Sequence, residues 1–422
     1  MNDDLLGRGS VDARVPAVVF RLNANPLQHA SLAIARSLGR LGVPVYFATV
    51  DARTPALRSR YSRGQPVRLA PAQRPVLESL LEVSERVGGS PVLISPDDVA
   101  ALFVDEHADE LRTGFRFPDQ PRGLPERLSN KGGLHRLAQS ADIPTPAARF
   151  PASREEFVAN VEELGLPVVV KSMDPSVLRR RPGAASVAVA RTLDEATRVY
   201  DAGEDPAQPN FMLQEYIPGD ARSIWMFNGY FDAAGTCRFG VVGQKIRQSP
   251  PRTGATSLGV VVDNDEVLKL TTRFLSHVGY RGIVDLGFRR DERDGRYKLL
   301  DVNPRIGSSF RLFVGRNGLD VARALYLDMT GQGIPKTTPR VGRKWLAEDQ
   351  DLSTFRLLAR ARELGLREYV GSLRGVEETA WLSRDDPWPA LDVLVKTVAP
   401  ILRRAPGSRG NRAVRRAAPG AG

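Results

Sequence analysis

The chain has a single cysteine, Cys237, which excludes an intramolecular disulfide and a cysteine-based zinc cluster. Histidine is almost as scarce. His29, His107, His135 and His277 are scattered without ligand spacing, and each reads as a surface or capping residue rather than a zinc ligand. No apolar run approaches the length of a membrane span, and the first residues carry acids where a secretory signal needs positive charge, so a cytoplasmic protein with no transmembrane segment is expected. The turn after the first apolar segment, Arg21-Leu-Asn-Ala-Asn-Pro26, lacks the glycines of a dinucleotide-binding fingerprint, which removes an NAD-type reading there.

Lysine is the other rarity: Lys131, Lys171, Lys245, Lys269, Lys298, Lys336, Lys344 and Lys396 stand against arginine almost everywhere else. A position that stays lysine in such a chain asks for a reason. A compact ammonium on a flexible stem suits a single phosphate oxygen where a broad guanidinium does not fit.

What is present is ample apolar content, 42% of 422 residues, enough for about two or three domains with real cores. The net charge of +11 is partly local. Arg403, Arg404, Arg409, Arg412, Arg415 and Arg416 lie among Pro, Gly and Ala without an acid, a composition expected to be disordered. This segment, 403–422, is either a solvated tail or a weak contact for an anionic surface. No aromatic RNA-binding motif accompanies it, so nucleic acid is not expected as a partner.

The fold expected is α/β. Ala17 to Leu22, Leu27 to Leu41 and Gly42 to Val50 alternate strand, helix and strand, the βαβ start of a parallel sheet, and Pro91 to Asp98 reads as a later strand of it. After a proline-rich break, Leu128 to Ala138 reads as a helix opened by Ser129 or Asn130. Lys131 falls in its first turn, where the macrodipole opposes a cation unless an anion lies nearby, although an exposed lysine fits as well. Leu166 to Lys171 is an apolar strand ending in a lysine that faces either a cleft or solvent. Ser172 to Ser186 fits a phosphate-covering loop or an ordinary hairpin loop. Leu193 to Tyr200 reads as a helix; Phe211 to Asp220, Ser223 to Asn228 and Cys237 to Gln248 read as strands, the last placing Lys245 and Arg247 on one face. Gly331 to Thr338 reads as a linker, followed by a small region with helices over Leu352 to Leu364 and Pro389 to Leu402.

Two short β-rich runs, Gly282 to Arg290 and Tyr297 to Arg305, flank the turn-forming Asp291-Glu-Arg-Asp-Gly295 and form a predicted hairpin. A five-residue loop pairs Arg290 with Arg296 and so sets Val284 against Val302, Leu286 against Leu300 and Asp285 against Asp301. One face is then apolar and the other carries Asp285, Asp301 and Asn303. Like charges directly opposed on a ladder are destabilising unless a cation lies between them, and oxygen donors of this kind suit magnesium.

Taken in order, these elements resemble the ATP-grasp superfamily, carboxylate–amine ligase branch, over roughly residues 16 to 330. The resemblance implies an N-terminal α/β domain (1–122), an ATP-grasp domain of two α+β subdomains (123–330, with the lid over about 147–210), a small C-terminal region (331–402) and the arginine-rich tail. It implies ATP and Mg2+, with Mn2+ as a substitute, a carboxylate and an amine or thiol as substrates, an acyl-phosphate intermediate, and a homodimer as in many relatives. Position by position, Lys131 and Lys171 match the phosphate-holding lysines. Gln214, Glu215, Tyr216 and Ile217 match the hinge strand at the adenine edge, with Glu215 or Asp220 reaching the ribose. Lys245 and Arg247 match the basic strand facing the transferred phosphate. Asp285, Asp301 and Asn303 match the metal ligands, and Arg305 matches the arginine that stabilises the acyl-phosphate. Three departures stand out: Asp301 where glutamate is usual, Gly287 where many relatives have an acid or glutamine, and a lid loop with Gly183-Ala-Ala-Ser in place of paired glycines. They leave a second reading, a non-catalytic nucleotide-binding protein with a regulatory role.

Overall fold

The computed structural model describes residues 6–71, 73–173, 187–204 and 209–403; the loop expected to cover a phosphate and the arginine-rich segment beyond Arg403 lie outside the described residues. The first sheet is parallel, with β1 (Ala17–Arg21), β2 (Val45–Thr49), β3 (Val67–Arg68) and β4 (Val92–Ile94) in the order β3-β2-β1-β4. The helix Ala30–Gly39 that joins β1 to β2 is buried on nearly every side, because a second helix, Val321–Met329, packs on its outer face. A helix buried all round needs apolar or small residues, and the one exception, Arg36, is paired with the buried Asp386 at 2.9 Å.

The second sheet is four-stranded and antiparallel, with β5 (Ala148–Arg149), β6 (Val168–Ser172), β7 (Val187–Ala190) and β8 (Phe211–Glu215) in the order β5-β8-β6-β7. The helices Arg154–Leu164 and Leu193–Gly203 share a core with it made of Phe157, Val161, Val168, Val170, Ala196, Tyr200, Phe211 and Leu213. Both helices begin with the same signature, a side-chain oxygen accepting from the backbone N–H three residues on: Ser153 from Glu156 and Thr192 from Glu195, each at 3.2 Å.

The third sheet has seven strands: β9 (Ile224–Phe231), β10 (Cys237–Ser249), β11 (Ala255–Val261), β12 (Gly282–Arg290), β13 (Tyr297–Asn303), β14 (Lys344–Leu346) and β15 (Val376–Thr379), in the order β13-β12-β9-β10-β11-β14-β15. Alternation along β9 divides its faces. Phe227 and Phe231 join Val284, Leu286 and Phe288 in one core, whereas Met226 and Tyr230 join the core that reaches the first domain. The stretch after residue 331 does not stand apart: β14 and β15 extend this sheet, and Trp345 and Trp381 enter the core shared with the first domain. His29 stands at the N-cap position of the helix Ala30–Gly39, without a side-chain cap bond, and its ring lies between these two rings at centroid distances of 5.4 and 5.8 Å, so it is buried and not on the surface; burial brings its pKa down to about 4.

The hairpin of β12 and β13 forms, with a register different from the one expected. Asp285 lies opposite Asn303, Leu286 opposite Val302 and Gly287 opposite Asp301; Phe288 then pairs with Leu299 and Arg290 with Tyr297. Leu300 is the extra residue of a β-bulge. The pairing already differs at the loop, where Arg290 meets Tyr297 and not Arg296, and the bulge shifts it by one more residue, so that Asp301 lies across from a glycine and Asp285 across from Asn303, with no carboxylate facing another on the ladder. The connecting loop closes through Asp291, which is fully buried and accepts from Lys298 Nζ at 2.6 Å. Among the described residues no helix is long and apolar enough to cross a membrane.

Candidate active site

A cleft of about 460 Å³ opens between the four-stranded and the seven-stranded sheets, and most of the residues singled out above line it. Lys131 enters from the start of the helix Lys131–Ser140, whose N-cap is Asn130, accepting from Gly133 N at 3.0 Å. Gly133 is required there, since a Cβ would lie 2.4 Å from the carbonyl oxygen of Arg127. Lys171 comes from the end of β6, flanked by Met212 of β8 and Val187 of β7. It is therefore the cleft-facing alternative of the two open to a strand-end lysine. Lys245 comes from β10 and donates from Nζ to the carbonyl of Gly254 at 3.1 Å in the turn before β11. Gln248, which the sequence did not single out, donates to the same carbonyl at 2.8 Å.

Opposite the cations, β12 and β13 present Asp285, Asp301 and Asn303. Two glycines make room for the two acids: a Cβ on Gly287 would lie 2.1 Å from Asp301 Oδ1, and one on Gly307 would lie 2.7 Å from the carboxyl of Asp285. Asn303 donates from Nδ2 towards Asp285 Oδ2 at 3.4 Å and accepts from Arg305 Nη2 at 3.3 Å. Arg305 lines the same cleft and is clamped by Asp98 of the first domain, Nε to Oδ1 at 2.8 Å and Nη2 to Oδ2 at 3.3 Å.

Two expectations, those for Arg247 and Asp220, are corrected by placement. Arg247 does not share the cleft with Lys245: Ile246 is an extra residue in the pairing of β10 with β11, and Arg247 turns to the helix Glu348–Arg360, where Asp351 accepts from its Nε at 2.9 Å and its Nη2 at 2.7 Å. Glu215 lines the cleft with the rest of the hinge strand, and its carboxylate is engaged by Arg293 and, at 3.5 Å, by Lys298. Asp220 is outside the lining altogether and caps the short turn Ala221–Ser223 by accepting from Arg222 N at 2.8 Å. Gln214, Tyr216 and Ile217 do line the cleft. A residue the sequence reading missed is Arg289, which lines the cleft and donates from Nη2 to the carbonyl of Gly219 at 2.5 Å. Its position two and four residues beyond Gly287 and Asp285 on one strand was the available signal.

The electrostatics are those of a site built for charge that is not its own. Burial lowers the pKa of Lys171 to about 8, with Lys131 adding to the effect against the pull of Asp301. Burial likewise lowers Lys245, against the attraction of Asp301 and Asp285. Burial raises Asp285 to about 6, helped by Asp301 and resisted by Arg305 and Lys245. Among the described residues, no carboxylate lies within ion-pair distance of Lys131, Lys171 or Lys245. Crowded cations without counter-anions fit a polyphosphate, and two carboxylates with an amide oxygen fit a hard divalent cation.

No protein-family model matches the chain. In sequence it is 28% identical over 245 residues to a D-aspartate ligase of Enterococcus faecium, a match covering 55% of this chain and 57% of that one, so it spans little more than half of the relative. In structure it is similar to the N5-carboxyaminoimidazole synthetase of Staphylococcus aureus (TM-score 0.60, 12% identity, 86% of this chain and 88% of that one) and to the L-amino acid ligase of Bacillus licheniformis (TM-score 0.56, 16% identity, 77% and 78%). A four-stranded sheet and a larger mixed sheet close on one lysine-lined cleft behind a parallel α/β domain, and this chain shares that fold with solved ATP-grasp carboxylate–amine ligases.

Proposed function

We propose that this chain is an ATP-dependent ligase that joins a carboxylate to an amine or thiol through an acyl-phosphate, releasing ADP and phosphate. One observation carries the reading: Lys131, Lys171, Lys245 and Arg305 converge with Asp285, Asp301 and Asn303 in one cleft, and among the described residues no carboxylate lies within ion-pair distance of the three lysines. Lys131 and Lys171 bind the ATP phosphates, and the hinge strand from Gln214 to Ile217 borders the nucleotide base. Asp285, Asp301 and Asn303 hold magnesium, which when bound neutralises phosphate charge. A carboxylate oxygen of the substrate attacks the γ-phosphorus, and the bond from that phosphorus to the bridging oxygen of ADP breaks. Lys245 and Arg305 neutralise the charge that develops on the transferred group. The nucleophile then adds to the acyl carbon, phosphate leaves, and the nucleophile's proton is lost to solvent or phosphate. The cleft must exclude water during this interval, since the mixed anhydride hydrolyses readily.

The relative named a D-aspartate ligase makes aspartate of either hand the first carboxylate to test. The experiment is an ADP-release screen over amino acids and small acids, each alone and in pairs with amines. ADP formation that needs both substrates and falls at least about a hundredfold in Asp301→Asn is expected. Unchanged ADP release in that variant overturns the metal assignment. ATP binding without turnover for every pair would instead make the chain a nucleotide-binding protein.

A further inference from the structure

Asp285, Gly287 and Arg289 stand at alternate positions of β12 and all line the cleft. Four strand residues separate Arg289 from Asp285 by about 13 Å, which takes it away from the metal-ligand end. Ile224 of β9 lies beside it in register and lines the cleft with it. Its Nη2 donates to the carbonyl of Gly219 at 2.5 Å, two residues past the end of the hinge strand at Ile217. That bond holds the guanidinium by one corner. Its Nε is buried and has no hydrogen-bond partner among the described residues. A buried donor on a charged group is costly to leave unpaired, and a cleft-lining side chain that carries one is completed by an acceptor on a ligand.

Arg289 lies between the two ends of the nucleotide site. Burial lowers its pKa against the pull of Tyr216, Asp220 and Asp291, and Tyr216 belongs to the hinge strand at the base end. At the other end, burial and Lys131 lower the pKa of Lys171, and the charge of Arg289 adds to the effect. One guanidinium is thus within electrostatic reach of both the phosphate-binding lysine and the hinge, and what joins a base to its phosphates is the sugar. The acids expected to meet a ribose are engaged elsewhere: Glu215 by Arg293 and Lys298, and Asp220 as the cap of the turn Ala221–Ser223, outside the lining. A hydroxyl oxygen accepts as readily as its proton is donated, so a cation can take the place of an acid there.

We propose that Arg289 is the ribose-binding residue of this chain: its Nε–H donates to a sugar hydroxyl oxygen of ATP while its Nη2 stays on the carbonyl of Gly219, so that one guanidinium ties the sugar to the turn that follows the hinge. The inference rests on the reading of the cleft as an ATP site. It adds a specificity to that reading, since a donor held in this way discriminates between nucleotides with and without sugar hydroxyls. Arg289 touches no reacting atom in this arrangement and acts on nucleotide affinity, unlike Lys245 and Arg305.

The test is calorimetric titration of the full chain with ATP and with 2′,3′-dideoxy-ATP, each with magnesium and without any acyl substrate, so that binding is read apart from turnover. The parent should bind ATP at least about tenfold more tightly than the dideoxy nucleotide, the worth of one hydrogen bond from a charged donor. In Arg289→Met, ATP binding should weaken by about the same factor while dideoxy-ATP binding stays within about twofold of the parent, so that the discrimination disappears. A role in holding the fold or in attracting phosphate charge would instead weaken both nucleotides alike. Arg289→Lys is the second variant, keeping the stem and the charge without a separate Nε–H; it should melt near the parent and keep no more than about threefold discrimination. Equal binding of the two nucleotides by the parent, equal loss of both in Arg289→Met, or full discrimination in either folded variant overturns the assignment of Arg289 and leaves the ATP site standing. A parent that binds neither nucleotide overturns the ATP reading, and this inference with it.

Discussion

The carboxylate of Asp301 occupies the space that a side chain on Gly287 would need, with its Oδ1 only 2.1 Å from where a Cβ would stand. The two departures from the family pattern on this hairpin are therefore one arrangement. An acid one methylene shorter sits across the ladder from a residue with no side chain, and the bulge at Leu300 sets them opposite each other. Gly287→Ala should push Asp301 out of place. The displaced group is the far end of a flexible side chain, so the melting temperature should change little, by less than about 1 kcal/mol of stability, while the magnesium concentration needed for ADP release should rise at least about tenfold. A magnesium titration of the variant beside a thermal melt checks both.

Lys171 gives ATP binding a pH dependence of known sign. Its ammonium is held at about 8 by burial and by Lys131, below the ordinary 10.5, and it meets phosphate best when charged. Nucleotide affinity should therefore fall as pH rises through about 8, and binding near that pH should take up a proton. For the free protein the folded chain releases the proton before the unfolded one does, so this group adds stability as pH rises from about 8 towards 10.5. Calorimetric titrations in buffers of different ionisation heat read the uptake, which Lys171→Met should abolish.

Asp285 carries the opposite sign. Burial raises its carboxyl to about 6 from the ordinary 3.8, so between those values the folded chain holds more protons than the unfolded one and loses stability as pH rises. At neutral pH the ionised carboxylate weakens the metal-free fold. Asp285→Asn should stabilise the chain by on the order of 1 to 3 kcal/mol at pH 7, with the difference closing below about pH 4. The same variant should lose turnover. Melting curves across pH, paired with ADP release, test the two halves separately.

Arg247→Met separates fold from chemistry on β10. Asp351 is fully buried and accepts from Arg247 and, at 2.8 Å, from Ser257 Oγ; the guanidinium also stacks on Tyr369 at 4.9 Å. Removing the arginine leaves a buried carboxylate without its cation, a loss of about 3 to 5 kcal/mol. The KM for ATP of the protein that remains folded should be unchanged, whereas Lys245→Met should leave the melting temperature near that of the parent and suppress turnover. A rise in KM for Arg247→Met without a fall in melting temperature would return Arg247 to the cleft.

The sequence by itself determined the order and kind of most elements and singled out most of the charged residues that line the cleft. Apolar periodicity placed a helix with Lys131 in its first turn, expected over Leu128 to Ala138 and found over Lys131–Ser140, the strand carrying Lys171 and both strands of the acidic hairpin, because side-chain alternation and helix capping act over a few residues and are written locally. What only the tertiary structure decided is where that alternation breaks. An extra residue at Leu300 sets Asp301 across from Gly287, and one at Ile246 parts Lys245 from Arg247; neither break has a local signature. The partners that decide them come from far along the chain: Asp351 for Arg247, Arg293 and Lys298 for Glu215, and Asp98 for Arg305. The same holds for β14 and β15, short strands whose place in the large sheet depends on a neighbour to pair with, and for His29, whose burial follows from Trp345 and Trp381 more than three hundred residues away. A buried charge or a short edge strand is settled by what packs against it, and that is a property of the folded chain rather than of any segment of it.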